Sequence, residues 1–347
     1  MKLKIVKPVD KEFTGGWGED NVANNTVSAV PKLKLKIANK PGAQYQGRTA
    51  ADTKLWTPRT HVYNRPESYI GENADIFVDQ EMWLYNTEEK KVYKSMIKYV
   101  PGIERIFLEI LSNASDNANM SRRKGTDAGE VNVLMTNNMI SIINYGLPMP
   151  VEPHPDDPTK YVPELSFGRL LTSAHYEGER NESGTNGVGS KATNILSKKI
   201  TCIVHDHVRH LKYTQNWSNN MRVVEPPEIL PYNGKISSVQ IIYEMDFARF
   251  GYPLPNENEG GYPREIFHLF ARHVLDLSFN AKIVTTFNEL KFNVSNIKDY
   301  GKLYFGDLVE TAVIHYQWPA GTEIIKKKKG HQVAKDSSIL PEVELLA

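Results

Sequence analysis

Apolar residues recur at helical spacing most clearly after Pro101, where Ile103, Ile106, Phe107, Ile110, Leu111 and Ala114 form one stripe. Glu109, Asn113, Asp116 and Asn117 fall together on its flank, so the spacing predicts a long amphipathic helix opened by proline. Strict alternation marks strands instead. Residues 81–85 and 91–97 read as a hairpin about 86–90, and 130–135 and 139–143 as two adjacent strands ending at Tyr145-Gly146. Pro66 and Gly71 bound a short turn before them. Residues 151–162, dense in Pro, Asp and His, read as a loop. A helical pattern resumes over 165–171, and the polar, glycine-bounded 173–184 reads as a lid. Helix and strands then alternate: a helix over 191–196, strands over 200–205, 210–216, 222–224 and 238–243, a helix over 263–277, a strand over 281–286 and a hairpin arm over 288–294. Strands that follow one another without an intervening helix predict an α+β fold with antiparallel hairpins.

Both ends differ from this middle. Residues 1–55 are rich in Asn, Gly, Lys and Pro, with an alternating run at Lys32-Leu-Lys-Leu-Lys-Ile37, and predict an arm that gains order against a partner. From about residue 300 the pattern changes, with a strand-like run over 309–316 and the basic cluster Lys326 to Lys329. An apolar stretch at the last residues reads as a domain begun but not completed. The expected division is therefore 1–55, 56–300 and 301–347.

A chain of 347 residues has room for two domains and a full core. Its formal charge of +1 gives no overall bias toward nucleic acid, although the basic clusters near the ends could contact phosphates. One cysteine, Cys202, rules out an internal disulfide framework and a cysteine-rich zinc site; its surroundings predict a buried strand residue. His154, His175, His205, His207 and His210 have no metal-ligand spacing. No apolar run approaches the roughly 20 residues of a membrane span, and no secretion signal opens the chain, which predicts an intracellular protein.

The candidate chemistry lies in two segments. On the long helix, the Glu109 carboxylate can orient and deprotonate water, and the Asn113 amide oxygen one turn on can complete a magnesium shell otherwise made of phosphate and water. Taken alone, the same residues would also suit a solvated face. In Ser183-Gly184-Thr185-Asn186-Gly187-Val188-Gly189-Ser190-Lys191, three glycines let backbone amides approach phosphate oxygens and Lys191 can neutralise charge beyond them. The loop has neither Walker A spacing nor the setting of a dinucleotide fingerprint, which points to another phosphate-binding architecture.

These segments resemble the ATPase region of type IIA DNA topoisomerases, of the eukaryotic or large-virus type, in the superfamily of gyrase B, Hsp90, histidine kinases and MutL. The resemblance runs in order through Arg65-Pro-Glu-Ser-Tyr-Ile-Gly71, Val100-Pro-Gly-Ile-Glu-Arg-Ile-Phe107, residues 109–117, Tyr161-Val-Pro-Glu164, Phe167-Gly-Arg-Leu-Leu-Thr-Ser173 and Gly184-Thr-Asn-Gly-Val-Gly189 with Lys191. It continues through Gln215-Asn-Trp217, Asn220-Met221, Pro226-Pro227 and residues 247–251, spanning about 60–304. It implies a two-layer α/β sandwich of the Bergerat ATPase type, followed by the start of a transducer domain.

By motif position the resemblance makes Glu109 the general base and Asn113 the protein ligand of Mg2+, and it puts Asn117 near sugar and phosphates. Ser173, Ala174 and His175 become ribose and phosphate contacts. Thr185, Asn186, Gly187, Val188, Gly189 and Ser190 wrap the triphosphate of ATP, and Lys191 stabilises its charge. Three of these positions depart from the family, Thr185 from the usual arginine and the pair Ala174-His175 from serine and asparagine. In the loop that reads adenine the family has Asp or Asn, Gly, any residue, Gly, where this chain has Tyr145-Gly146-Leu147-Pro148. Either the Tyr145 hydroxyl or Asn144, after a one-residue shift, would then serve the base. The resemblance further implies a nucleotide-dependent homodimer and double-stranded DNA as partner of a longer enzyme, with a nuclear or viral-factory setting. The departures inside otherwise intact motifs point to a viral origin. Lys326 to Lys329 and Lys335 do not match the lysine a transducer donates. The alternatives are a chaperone or mismatch-repair ATPase, and a degenerate DNA clamp of the same fold.

Overall fold

The computed structural model describes residues 55–170, 188–256, 260–306, 315–318 and 343–346. The expectations for the N-terminal arm, the lid and the lysines at 326–329 and 335 lie outside these residues.

Where the sequence predicts only a turn about Pro66, two short helices form, α1 (Pro58–Asn64) and α2 (Glu67–Ile70). Pro58 supplies a preset first helical residue, and the Thr57 hydroxyl accepts from Thr60 N at 3.2 Å to cap it. Helices this short leave no periodicity to read. The predicted hairpin follows as β1 (Val78–Asn86) and β2 (Lys91–Tyr99), then the long helix α3 (Pro101–Arg123). Gly125, at φ +68, takes the left-handed conformation that ends α3, its N–H bonding back to Arg122 O. Strands β3 (Glu130–Met135) and β4 (Met139–Tyr145) lie where alternation puts them.

The predicted loop over 151–162 is instead a small hairpin, β5 (Pro153–His154) with β6 (Asp157–Tyr161), and α4 (Val162–Gly168) starts earlier than the pattern suggests. Polar side chains tie the hairpin's second strand to the end of α4: Thr159 and Arg169 both donate to the Asp157 carboxylate, at 2.6 and 3.0 Å, a stabilisation that hydrophobic periodicity does not register. Next come α5 (Gly189–Ile195), β7 (Ser197–Asp206), β8 (Leu211–Ser218), β9 (Val223–Val224), an unpredicted β10 (Glu228–Pro231), and β11 (Ser238–Met245). The chain continues as α6 (Arg264–Ala281), β12 (Val284–Phe287), β13 (Leu290–Phe292) and α7 (Ile297–Phe305). Finally β14 (His315–Trp318) pairs antiparallel with β15 (Val343–Leu346).

Helix α7 runs through the division expected at residue 300. Asn296 caps it, and the Tyr300 hydroxyl donates to Asp276 of α6 at 2.6 Å. Gly301 inside it breaks the helical signal that the sequence would otherwise give.

A nine-stranded sheet forms the centre, in the order β10-β8-β7-β11-β4-β3-β12-β13, with β9 also on β8. Every neighbouring pair is antiparallel except β3 and β12. Successive side chains on a strand alternate between faces. The registers therefore align one row across the sheet: Tyr213, Val204, Val239, Asn144, Val131 and Thr285. This row faces the helices, since the Thr285 hydroxyl donates to Val274 O of α6 at 2.9 Å. Phe107 of α3 stacks on Phe270 of α6 with ring centroids 4.0 Å apart, both fully buried. Each such ring removed from water stabilises the fold by about 1.5–3 kcal/mol. Helices on one face and solvent on the other make the two-layer sandwich that the resemblance implies.

Candidate functional site

Within the helix-facing row, five members are buried and Asn144 alone stays partly exposed, which marks an opening above it among the described residues of the helix layer. Tyr145 points to the opposite face, its Cβ packed against Gly129, where an added Cβ would come within 2.6 Å. Of the two residues proposed from sequence to meet a base, Asn144 is the one aligned with the helix side.

Along α3, Glu109, Asn113 and Asn117 recur every four residues, and Ser121 continues the series. At 1.5 Å per residue this flank is about 18 Å long, enough for an extended nucleoside triphosphate to lie beside it. At one end the Glu109 carboxylate lies against the start of α5: a Cβ on Gly189 would sit 1.7 Å from Glu109 Oε2. Glycine at 189 is what lets the acid and the end of the phosphate-type loop meet. At the other end Asn117 and Ser121 meet the segment after β4. Asn113, between them, is exposed, and no hydrogen bond to its amide occurs among the described residues.

Burial pushes the Glu109 carboxyl above its ordinary pKa, partly opposed by Arg105, whose Nε lies 2.7 Å from Oε1 one turn earlier. A carboxylate kept ionised by one exposed arginine, yet more basic than a free one, suits proton abstraction from water. Sequence reading missed Arg105, although its place four residues before Glu109 is a helical pairing signal.

Helix α5 is pinned on two sides. Thr193 donates to Ile106 O of α3 at 3.0 Å, while Ser190 and Asn194 donate to Ser166 O and Phe167 O of α4, each at 3.0 Å. Val188 stands at its N-cap. Lys191 shares the Ile195 side of the helix and is 4% exposed, so burial pushes its ammonium down to about 8. Ser173, Ala174, His175, Thr185, Asn186 and Gly187 lie outside the described residues.

Among the described residues, no group of three His, Cys, Asp or Glu is arranged to hold a metal, and no helix is long and apolar enough to cross a membrane. The histidines near the β7–β8 turn are engaged locally, His205 Nδ1 3.0 Å from Ser238 Oγ and His207 Nδ1 2.7 Å from Ser237 Oγ. Cys202 is fully buried in β7, and burial pushes its thiol up, so it is unreactive. A cleft of about 610 Å³ between the β1–β2 turn, the start of α6 and the β12–β13 turn shares no residue with the α3 flank.

No protein-family model matches the chain. DNA topoisomerase 2 of Candida glabrata is 33% identical over 251 residues, which are 72% of this chain and 17% of that protein. The probable DNA topoisomerase 2 of Dictyostelium discoideum is 30% identical over 283 residues, 79% of this chain and 18% of its own length. The chain thus spans under a fifth of the length of either relative. The ATPase region of Saccharomyces cerevisiae topoisomerase II superposes with a TM-score of 0.68 at 28% identity, covering 77% of this chain and 68% of that one. The ATPase and transducer domains of DNA topoisomerase II from Balamuthia mandrillaris superpose with a TM-score of 0.67 at 29% identity, covering 78% and 66%.

Proposed function

The chain is homologous to the N-terminal ATPase region of type II DNA topoisomerases, and from that premise we propose that it binds ATP along the α3 flank and hydrolyses it with Glu109 as general base. One observation carries this reading: the Glu109 carboxylate, raised in basicity by burial, rests against Gly189 at the end of the glycine-rich loop. Asn144 meets the base through the opening in the helix layer. Asn117 lies toward the sugar. Residues 185–190 follow the triphosphate, and Lys191 supplies positive charge. Ser173, Ala174 and His175 complete the ribose and phosphate contacts. A degenerate clamp is not favoured: the chain matches the ATPase region of topoisomerase II and keeps the acid at Glu109, the amide at Asn113 and the glycine at 189 that hydrolysis would use.

The donor set fits Mg2+. Asn113 offers one neutral oxygen with no protein partner among the described residues, and a hard cation of this size commonly takes one or two protein ligands, phosphate oxygens and water. When bound, the ion would neutralise phosphate charge. The protein's own part is to hold water at Glu109 and accept its proton, while fixed dipoles and Lys191 offset the charge developing on the phosphoryl group.

In a longer enzyme this region would close as a nucleotide-dependent homodimer and drive passage of double-stranded DNA. The arm of residues 1–55 would cross to the partner, and a transducer would begin after α7. A DNA substrate implies a nuclear location for a cellular protein, or the host nucleus or a viral factory for a viral one. Replacing Glu109 by alanine tests the core of the reading. Hydrolysis should be lost while calorimetry still detects a non-hydrolysable ATP analogue; an unchanged rate would remove Glu109 as the base.

A further inference from the structure

The end of the α3 flank away from Glu109 is built with more polar precision than a solvated helix face requires. Leu147, three residues after Asn144, has both of its backbone groups taken by α3. Ser121 Oγ accepts from Leu147 N at 2.9 Å, and Asn117 Nδ2 donates to Leu147 O at 3.1 Å. Ser121, fully buried, uses its one hydroxyl proton on Asn117 O at 2.7 Å, so a lone pair is left facing Leu147. Gly146 between Asn144 and Leu147 sits at φ +107, and a Cβ there would come within 2.5 Å of Ser121 Oγ and 2.8 Å of Asn117 Oδ1. Asn144 itself donates only a 3.4 Å contact to Tyr145 O, which leaves its amide oxygen open toward the gap in the helix layer.

We propose that Ser121 and Asn117 are positioning residues that set base selectivity: by clamping Leu147 they fix the left-handed step at Gly146 and thereby the aim of Asn144 at a purine. The inference rests on the nucleotide-binding reading above and adds to it what decides adenine over guanine. Pro148 removes one backbone freedom, Gly146 supplies the only positive φ in the segment, and the two α3 side chains select a single conformation from what remains. An amide oxygen held in this way accepts from the exocyclic amino group of adenine and is opposed by the carbonyl at the same place on guanine. The four-residue recurrence of Glu109, Asn113, Asn117 and Ser121 makes one helix the common reference for chemistry at one end and base recognition at the other.

The test compares S121A, N144A and E109A with the unmodified full chain, in steady-state hydrolysis of MgATP and MgGTP. S121A should raise KM for ATP by about tenfold, equivalent to about 1.4 kcal/mol, with kcat falling by less, and should lower the preference for ATP over GTP by a similar factor. Added to N144A it should cost little more, because both act through one group. Loss of selectivity in N144A with selectivity intact in S121A would overturn the clamp while leaving the nucleotide site standing. Unchanged kinetics in N144A and E109A together would instead sink the site itself, and the clamp with it. If S121A does not fold, hydrogen exchange at the Leu147 amide of the unmodified chain decides: protection supports the clamp, and exchange at the rate of an open peptide refutes it.

Discussion

Replacing Gly189 by alanine should separate catalysis from folding. Its added Cβ would sit 1.7 Å from Glu109 Oε2, 2.6 Å from Cδ and 3.2 Å from Cγ, whereas ordinary contact begins near 3.4 Å. The carboxylate must therefore withdraw by about 1.7 Å, the difference between 3.4 and 1.7 Å. The atoms in the way are the far end of a flexible side chain, and residue 189 is the first of a helix where alanine is well accommodated. The stability cost should stay within about 1 kcal/mol. Catalysis is less tolerant, since a displacement of about 1 Å at a reacting group can cost about a hundredfold. G189A is thus expected to lose at least about a hundredfold in kcat, or about 2.7 kcal/mol of barrier. Steady-state ATPase assays on G189A, E109Q and the double variant, with melting curves and calorimetric binding of a non-hydrolysable analogue, measure each quantity. The double variant should be no slower than E109Q, because one carboxylate is disabled twice. Hydrolysis by G189A at the unmodified rate would refute the idea that this contact sets the base.

Two further expectations concern buried charge. Lys191 holds its proton less tightly folded, at about 8, than unfolded, near 10.5, so the unfolded chain binds more protons between these values and stability should rise with pH across that window. That separation corresponds to about 3 kcal/mol, and urea titrations from pH 7 to 10.5 should show this slope flattened in K191M. Glu104 is pushed up by burial but carried below its ordinary 4.5 by hydrogen bonds from His273 and Tyr99, at 2.7 and 2.9 Å. Its contribution is present above that value and is lost as pH falls through the folded pKa. E104Q should cost about 1–3 kcal/mol at pH 7 and progressively less toward pH 3 in the same titrations.

The sequence was most legible where burial has a regular period. Helix α3, the β1–β2 hairpin, β3 and β4 all follow from spacing, because a half-buried helix or strand must repeat its apolar side. Elements held by polar contacts were not legible that way: β6 is tied through Asp157 to Arg169, and α7 has its apolar pattern broken by Gly301 and is secured by Tyr300 on Asp276. At the site, residue types announced Glu109, Asn113 and the glycines. Spacing on α3 also contained Arg105 and Ser121, each four residues from a named neighbour. The choice between Asn144 and Tyr145 needed strand register, since adjacent residues on a strand face opposite ways and the chain alone does not say which side carries helices.

The lone parallel pairing in the sheet has a kinetic meaning. Glu130 and Val284 are paired at the start of β3 and β12, 154 residues apart by their numbers, and no hairpin can bring them together. Until the chain has travelled through β11 and α6, β3 is a bare edge carrying Val131 and Val133, open to pairing with whatever strand arrives first. Closing so long a loop is slow, and β3 gains its second partner late. During synthesis the helix that carries Glu109 is thus made long before the strand that covers the open edge of β3, which makes this interval the one in which a chaperone would matter most.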